Sequence, residues 1–584
     1  MLRTAFLASF LAMLLTPAGL FAAEPEVPIS SWIGDDAVIV LEVTQPAALL
    51  DRVFSDDVVK AVTTSPVYQQ ILAAPQAREA MNLVKYFEGR YQTDLHGLLK
   101  KLTGGGLSLA VGPNESALLI VEAEDPALLT EAHDFFVMAA KNEAQKANDV
   151  DRVKSAEYRG VTGWSFDKNE AHAIVGNRLL LANKPDLLKA ALDRRAQEGG
   201  KSIADVPVFQ TAQKAAGPSA CARAFVNLAV LKAVPQFSAA LNRNENPLGT
   251  LLVAPFLSAL REANWLSAGL EVQGSSVQLA FVADGAAAKP DTPSAFGAAL
   301  DPQDGALANL TVPRQIASAS LFRDLHGFYA AKDQLFPERT SGLIFFENMM
   351  GIFFTGRDLT EEVLAETMPD IRVVVAEQQY DPKYGTPKVQ FPGFALVMRL
   401  RDPEKSRPIA EEAWQKALGL INFTRGQQAL PGLIIDRPAV GDVRYSTAAF
   451  APDKPSDGSG VDVRFNFQPA LAMPGPYLIL SSTDALARDL IEALQREAAS
   501  GAKPVAKSHS LFELRAPQVV SILKANWEAI IQQNMVEKGN QREQSEQEMG
   551  LLLTVLSYLK SLDAQAGSDN GQSTLNVRLD LQAP

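Results

Sequence analysis

Apolar residues along the chain recur in short runs, and each run passes into a helical stretch. Ala37–Val43 is such a run and leads into Pro46–Leu50. Short apolar runs bounded by turn and cap residues read as strands, and the longer stretches that follow them read as helices. Farther on, Thr93–Leu99 precedes the run Leu107–Val111, and Ala117–Glu122 ends in Asp125-Pro126 before a helical stretch. The second half repeats this sequence of events. Ala317–Phe322 leads into a helical stretch through Phe328 and Leu335, Arg357–Leu364 precedes Ile371–Val375, and the run from Ala395 ends in Asp402-Pro403. In both halves the aspartate can accept hydrogen bonds from the free N–H groups of the helix start. The proline fits the first helical position, where no N–H is needed.

The order continues in register. Arg178–Leu188 matches Tyr477–Leu486, and Ala222–Val226, entering a helix at Asn227, matches Leu511–Leu514, entering at Ala516-Pro517. Paired helical regions follow, Val234–Ala263 and Val519–Leu562. Each half closes on a hairpin, one turning at Gln273–Ser276 and the other at Asn570-Gly571, a pair suited to a two-residue turn. Repeated markers in one order predict an internal duplication. The expected fold class is α+β (mixed α/β), with two divergent copies of one strand–cap–helix unit. Each copy is expected to be a mixed sheet with helices on one face and a terminal hairpin. The expected domains are a signal peptide at 1–23, copy one at 24–290 and copy two at 291–584. The Ala-, Gly- and Pro-rich segment Gly285–Leu300 is the joint, and Gly441–Phe467, with the loop Pro452–Gly460, is an insertion in copy two.

The N-terminus adds a location. Arg3 precedes the apolar run Ala5–Leu15, Pro17 and Gly19 break it, and Phe21-Ala22-Ala23 offers small residues for cleavage. That order is what a secretory peptidase reads. The run is short for a membrane span, and an uncleaved anchor is the alternative. The expected location is extracytoplasmic, periplasmic or secreted, with no transmembrane segment after cleavage. A net charge of −13 opposes nucleic acid as a partner. Cys221 is the single cysteine, so no internal disulfide forms, and its setting in Ser219–Val226 reads as a buried structural thiol in a strand.

These residues resemble a large family of exported bacterial proteins known only as a domain of unknown function. The likeness rests on Asp36–Val43, Gly104–Val111, Leu179–Asn183 and Ser202–Phe209, and it is fainter in the second half. The resemblance implies no activity and no active-site residues.

Familiar catalytic patterns do not carry through. Gly104-Gly105-Gly106 precedes a strand, whereas a phosphate cradle needs glycines between strand and helix. The histidines His96, His133, His172, His326 and His509 lack metal-ligand spacing. Ser165–Lys168 and Ser521–Lys524 have the spacing of a serine acyl-enzyme motif without its companions. Acidic pairs such as Asp56-Asp57 and Glu361-Glu362 read as exposed helix residues. No catalytic residue, cofactor or metal is predicted. One segment exceeds background, because Leu343–Phe354 packs four phenylalanines and two methionines into one helical stretch. A helix apolar nearly all round is expected to be core. The alternative is a hydrophobic site for a lipid or partner made of Phe345, Phe346, Met349, Met350, Phe353 and Phe354. The leading expectation is a non-catalytic envelope protein that binds or scaffolds through a duplicated body. A carrier or chaperone for hydrophobic molecules comes second, and a hydrolase with a dispersed acidic site third.

Overall fold

The computed structural model describes residues 27–582 apart from 65–67, 69–74, 198–199, 243–245, 286–291, 294, 298–303, 382–384 and 451–461. The signal peptide expected at 1–23, most of the joint at 285–300 and the loop at 452–460 lie outside the described residues. The chain forms two compact units. One holds residues up to 238 together with 263–283, and the other holds 239–262 together with 284–584.

The first unit is built on ten strands: β1 (Ile39–Val43), β2 (Gly106–Val111), β3 (Ala117–Glu122), β4 (Lys154–Tyr158), β5 (Val161–Ser165), β6 (Ala171–Val175), β7 (Arg178–Ala182), β8 (Ala222–Asn227), β9 (Trp265–Gln273) and β10 (Ser276–Ala283). They pair in the order β4-β5-β6-β7-β3-β2-β1-β8-β9-β10, antiparallel at every step. The helices that matter here are α1 (Pro75–Tyr91), α2 (Leu95–Thr103), α3 (Pro126–Lys146), α4 (Pro185–Arg195) and α5 (Pro207–Ala215). Asp125 caps α3 by accepting the N–H of Leu128 at 3.0 Å. Alternation sends Val40, Ile120, Leu180 and Phe225 to one face, where they are buried against Leu188 and Leu192 of α4 and Phe209 of α5. Val121 and Leu179 point the other way and pack on Leu129 and Phe136 of α3. Helices therefore cover both faces, not the single face expected.

In the second unit the strands are β11 (Gln315–Phe322), β12 (Thr367–Ala376), β13 (Gly393–Leu400), β14 (Leu433–Asp436), β15 (Ala439–Val440), β16 (Val443–Arg444), β17 (Ser446–Phe450), β18 (Ala470–Ala472), β19 (Tyr477–Ser481), β20 (Ser508–Arg515), β21 (Leu559–Asp569) and β22 (Gln572–Leu581). The sheet order is β14-β17-β18-β19-β13-β12-β11-β20-β21-β22, again antiparallel throughout, and β15–β16 form a separate ribbon. Position for position this is the order of the first unit. The strand before each Asp-Pro step, β3 or β13, takes the same place. The expected mixed sheets are thus corrected to antiparallel ones. Periodicity fixes which face a residue takes but not strand direction, and a helical connection can return the chain either way. The β21–β22 hairpin turns at Asn570 (φ 50°) and Gly571 (φ 77°), the two positive φ values of a type I′ turn.

The helices of this unit are α6 (Pro247–Glu262), α7 (Thr340–Phe353), α8 (Pro403–Gln427), α9 (Asp484–Ser500), α10 (Ala516–Ala525), α11 (Trp527–Lys538) and α12 (Arg542–Ser557). Asp402 caps α8 through the N–H of Lys405 at 3.1 Å. The main core sets α9 (Leu486, Leu490, Leu494) against Val374, Ala395, Val397 and Ile479 on one face of the sheet. Helix α6 lies between β8 and β9 of the first unit in sequence but packs here, where Ala254 joins Phe296, Phe328 and Phe336.

Candidate functional site

The second face of the β11 sheet is apolar across the seven strands from β19 to β22, Ser510 apart. Register places Leu480, Leu396, Val373, Ala319, Phe512 and Ala564 in one line across β19-β13-β12-β11-β20-β21, ending at Val577 on β22. A neighbouring line runs from Phe394 through Val375, Ala317, Leu514 and Leu562 to Leu579. The third runs from Leu478 through Ile371 and Leu321 to Leu575, with Ser510 as the one polar side chain in all three. No Asp, Glu, Lys or Arg stands on these lines. At about 4.8 Å between strands, a line across seven strands is roughly 29 Å long.

Such a face needs cover, and the cover here is partial. Trp414 of α8 packs at one end, over Met398 and Leu478. Helix α10 lies against β11 and β21. Between them water reaches the floor. Phe394 is 53% exposed, Phe512 39% and Leu480 36%. The interior strands have both edges hydrogen-bonded within the sheet, so the floor offers no free backbone donor or acceptor.

The apolar helix singled out from sequence departs from its expected burial. None of the residues of α7 whose side chains are described is buried. Phe345 is 71% exposed, Phe346 and Met349 are exposed, and Met350, Phe353 and Phe354 are half-buried. The reason is local. The helix docks by one side only, with Leu343 on the Phe328–Phe336 cluster. Phe346 lies 6.4 Å from the Tyr329 ring and Glu347 pairs with Lys332 at 3.3 Å. Helix α7 also meets α8, where Lys416 Nζ donates to the Ile352 carbonyl at 3.2 Å. Five of the six candidate residues therefore lie on a helix adjoining the one that covers an end of the uncharged face, and Phe354 follows its last turn.

A second feature was illegible from spacing. His133 on α3 and His172 on β6 face each other with ring centroids 5.2 Å apart. Both are buried, and neither Nε2 has a hydrogen-bond partner among the described residues. His172 Nδ1 lies 2.9 Å from Glu170, and Asp134 is 3.5 Å from His133 Nδ1. Lys141 stands over the nearby Trp164 ring. No group of three or more His, Cys, Asp or Glu is placed to hold a metal among the described residues. Burial, and then the charge of His172, push His133 down to about 4. A depressed histidine favours the folded state while neutral. That stability is complete above the ordinary value near 6.5 and is lost as pH falls from there towards 4. The loss should be on the order of 2–3 kcal/mol. Urea unfolding of the first unit, followed between pH 7 and pH 4, should show it, and His133→Leu should flatten the profile. An unchanged profile in the variant would assign the acid sensitivity elsewhere.

The described cavity of about 260 Å³ is a different place, beside Arg314, Tyr380, Arg464 and Asp489. Both arginines of its lining are paired, Arg314 with Asp489 at 3.7 Å and Arg464 with Asp462 at 2.8 Å. Cys221 is buried, and its thiol donates to the Leu270 carbonyl at 3.2 Å.

Residues 61–318, less than half of the chain, match the profile of a family described as a protein of unknown function, DUF3352. This agrees with the resemblance read from the sequence. No curated protein matches. Among solved structures, crystal forms I and III of TP0453 match at 10% and 11% identity, each with a TM-score of 0.25. They cover 45% and 47% of this chain and 81% and 86% of theirs. No helix among the described residues is long and apolar enough to cross a membrane.

Proposed function

We propose that this chain is an exported, non-catalytic binding protein whose second unit holds the acyl part of a lipid on its uncharged sheet face. One observation carries the reading: three cross-strand lines without a charge, whose floor residues Phe394, Phe512 and Leu480 remain open to water. Half-exposed Phe and Leu on one contiguous surface are costly in water and are removed from it by an apolar occupant. A protein partner would be expected to bring about one hydrogen bond per 100–200 Å². This face offers Ser510 alone, and the interior strands that floor it have both edges paired. Export rests on the Arg3, Ala5–Leu15 and Ala22-Ala23 pattern. Descent of the two units from one duplicated unit is part of the same proposal, supported by the in-register sequence markers and the common strand order.

Titration with a fluorescent long-chain fatty acid tests the reading. Phe394→Glu and Phe512→Glu place a carboxylate on the floor at positions already half in water. Each should weaken probe binding at least tenfold while the melting temperature moves little. Undiminished binding in both variants would exclude this face. Binding of a helical peptide instead of the fatty acid would turn the reading towards a scaffold.

A further inference from the structure

We propose that the first unit carries a second acyl-chain site, equivalent to the one in the second unit, so that one chain holds two such ligands. This rests on the reading given under Proposed function. The β1 sheet has the same kind of second face. Its central line runs from Leu181 on β7 through Leu109, Leu41, Ala224 and Ala268 to Phe281 on β10. The flanking lines contain only Ala, Val, Leu and Ile, as in Ile39–Val226–Leu266 and Val43–Ala222–Leu270. No charged or hydroxyl-bearing side chain stands on them. The α3 cluster covers the β3–β7 end through Leu119 and Leu181. Toward β1, cover thins: Leu41 is 43% exposed and Ala224, Leu266, Ala268 and Phe281 are partly exposed.

The centres of the two floors are related by an exchange. The large residue of the first unit is Leu41 on β1 with Ala224 beside it on β8. In the second unit the equivalent strands carry Ala319 and Phe512. Bulk has moved one strand over, and the floor keeps one protruding apolar side chain flanked by a small one. A surface kept only as core would be expected to bury that protruding residue, and both remain half in water. The absence of hydrogen-bonding groups selects the same occupant as before, a hydrocarbon chain, and the shifted ridge gives each site its own shape.

Stoichiometry of a fluorescent long-chain fatty acid on the full chain decides the matter. The wild type should take up two equivalents, Leu41→Glu one, Phe512→Glu one, and the double variant none. Ala224→Phe, which fills the first floor without adding charge, should also leave one and serves if Leu41→Glu does not fold. One equivalent on the wild type, lost with Phe512→Glu and untouched by Leu41→Glu and Ala224→Phe, would overturn the second site and leave the first. No uptake by the wild type would remove both.

Discussion

Replacing Arg323 by methionine is expected to cost the second unit about 3 kcal/mol or more of stability. Arg323 is fully buried and has no carboxylate partner among its hydrogen bonds. All five of its N–H groups are used. Nε donates to the Leu251 carbonyl at 2.7 Å, Nη1 to Phe322 and His509, and Nη2 to Leu252 and Ser510 Oγ. The Leu251 carbonyl is free because Pro255, four residues on in α6, has no N–H to offer it. The guanidinium thus supplies the donor that proline removed and ties α6 to β11 and β20. Burial pulls Arg323 down to about 10, and burial with its charge holds His509 near 3, so His509 is neutral at physiological pH. Methionine fills the volume and leaves the carbonyls without donors. Arg323→Lys keeps the charge with only three donors and should recover less than half of the loss. Hydrogen exchange of α6 amides measures it, and unchanged protection in Arg323→Met would show that the α6 contacts hold without the guanidinium.

Glu497→Ala should be of similar size, roughly 3–5 kcal/mol, because it leaves a buried cation without its partner. Arg372 projects from β12 into the core under α9 and is almost wholly inaccessible. Glu497 receives it through two bonds of 2.6 and 2.8 Å, and the Tyr477 hydroxyl donates to the same carboxylate at 3.1 Å. The Tyr477 ring lies 5.4 Å from the guanidinium. Removing both charges should cost far less than removing one, since a buried pair gains little net stability over apolar packing. Arg372→Leu with Glu497→Leu should therefore unfold closer to the wild type than Glu497→Ala does. A double variant as unstable as the single one would mean that the pair itself, and not the orphaned charge, sets the loss.

Local grammar was legible in the residues. Short apolar runs became strands, Asp125-Pro126 and Asp402-Pro403 became capped helix starts, and Asn570-Gly571 became a two-residue turn. What lay beyond was decided at long range. Strand direction has no periodic signature, so the antiparallel order was hidden. Helix α6 looked like part of the first copy until Arg323, Phe296 and Phe328 were seen to hold it. Hydrophobicity alone sent Phe345 and Met349 inward, but a helix docks along one side and the partners of the other sides were not written in the segment. The uncharged face did leave a signal. Val373-Val374-Val375 and Phe394–Met398 are apolar at successive positions. A strand with one face in water should alternate with polar residues there. The fault lay in treating such runs as strand markers and not asking what covers their second face.

The central claim concerns that second face, and photo-crosslinking tests it most directly. A fatty acid carrying a photoreactive group at the end of its chain, irradiated with the intact protein and mapped by peptide mass spectrometry, should label segments that include Phe394–Met398 and Ser510–Leu514. Competition with unlabelled fatty acid should abolish that labelling. Labelling confined to other segments, or labelling that no competitor reduces, would contradict the account.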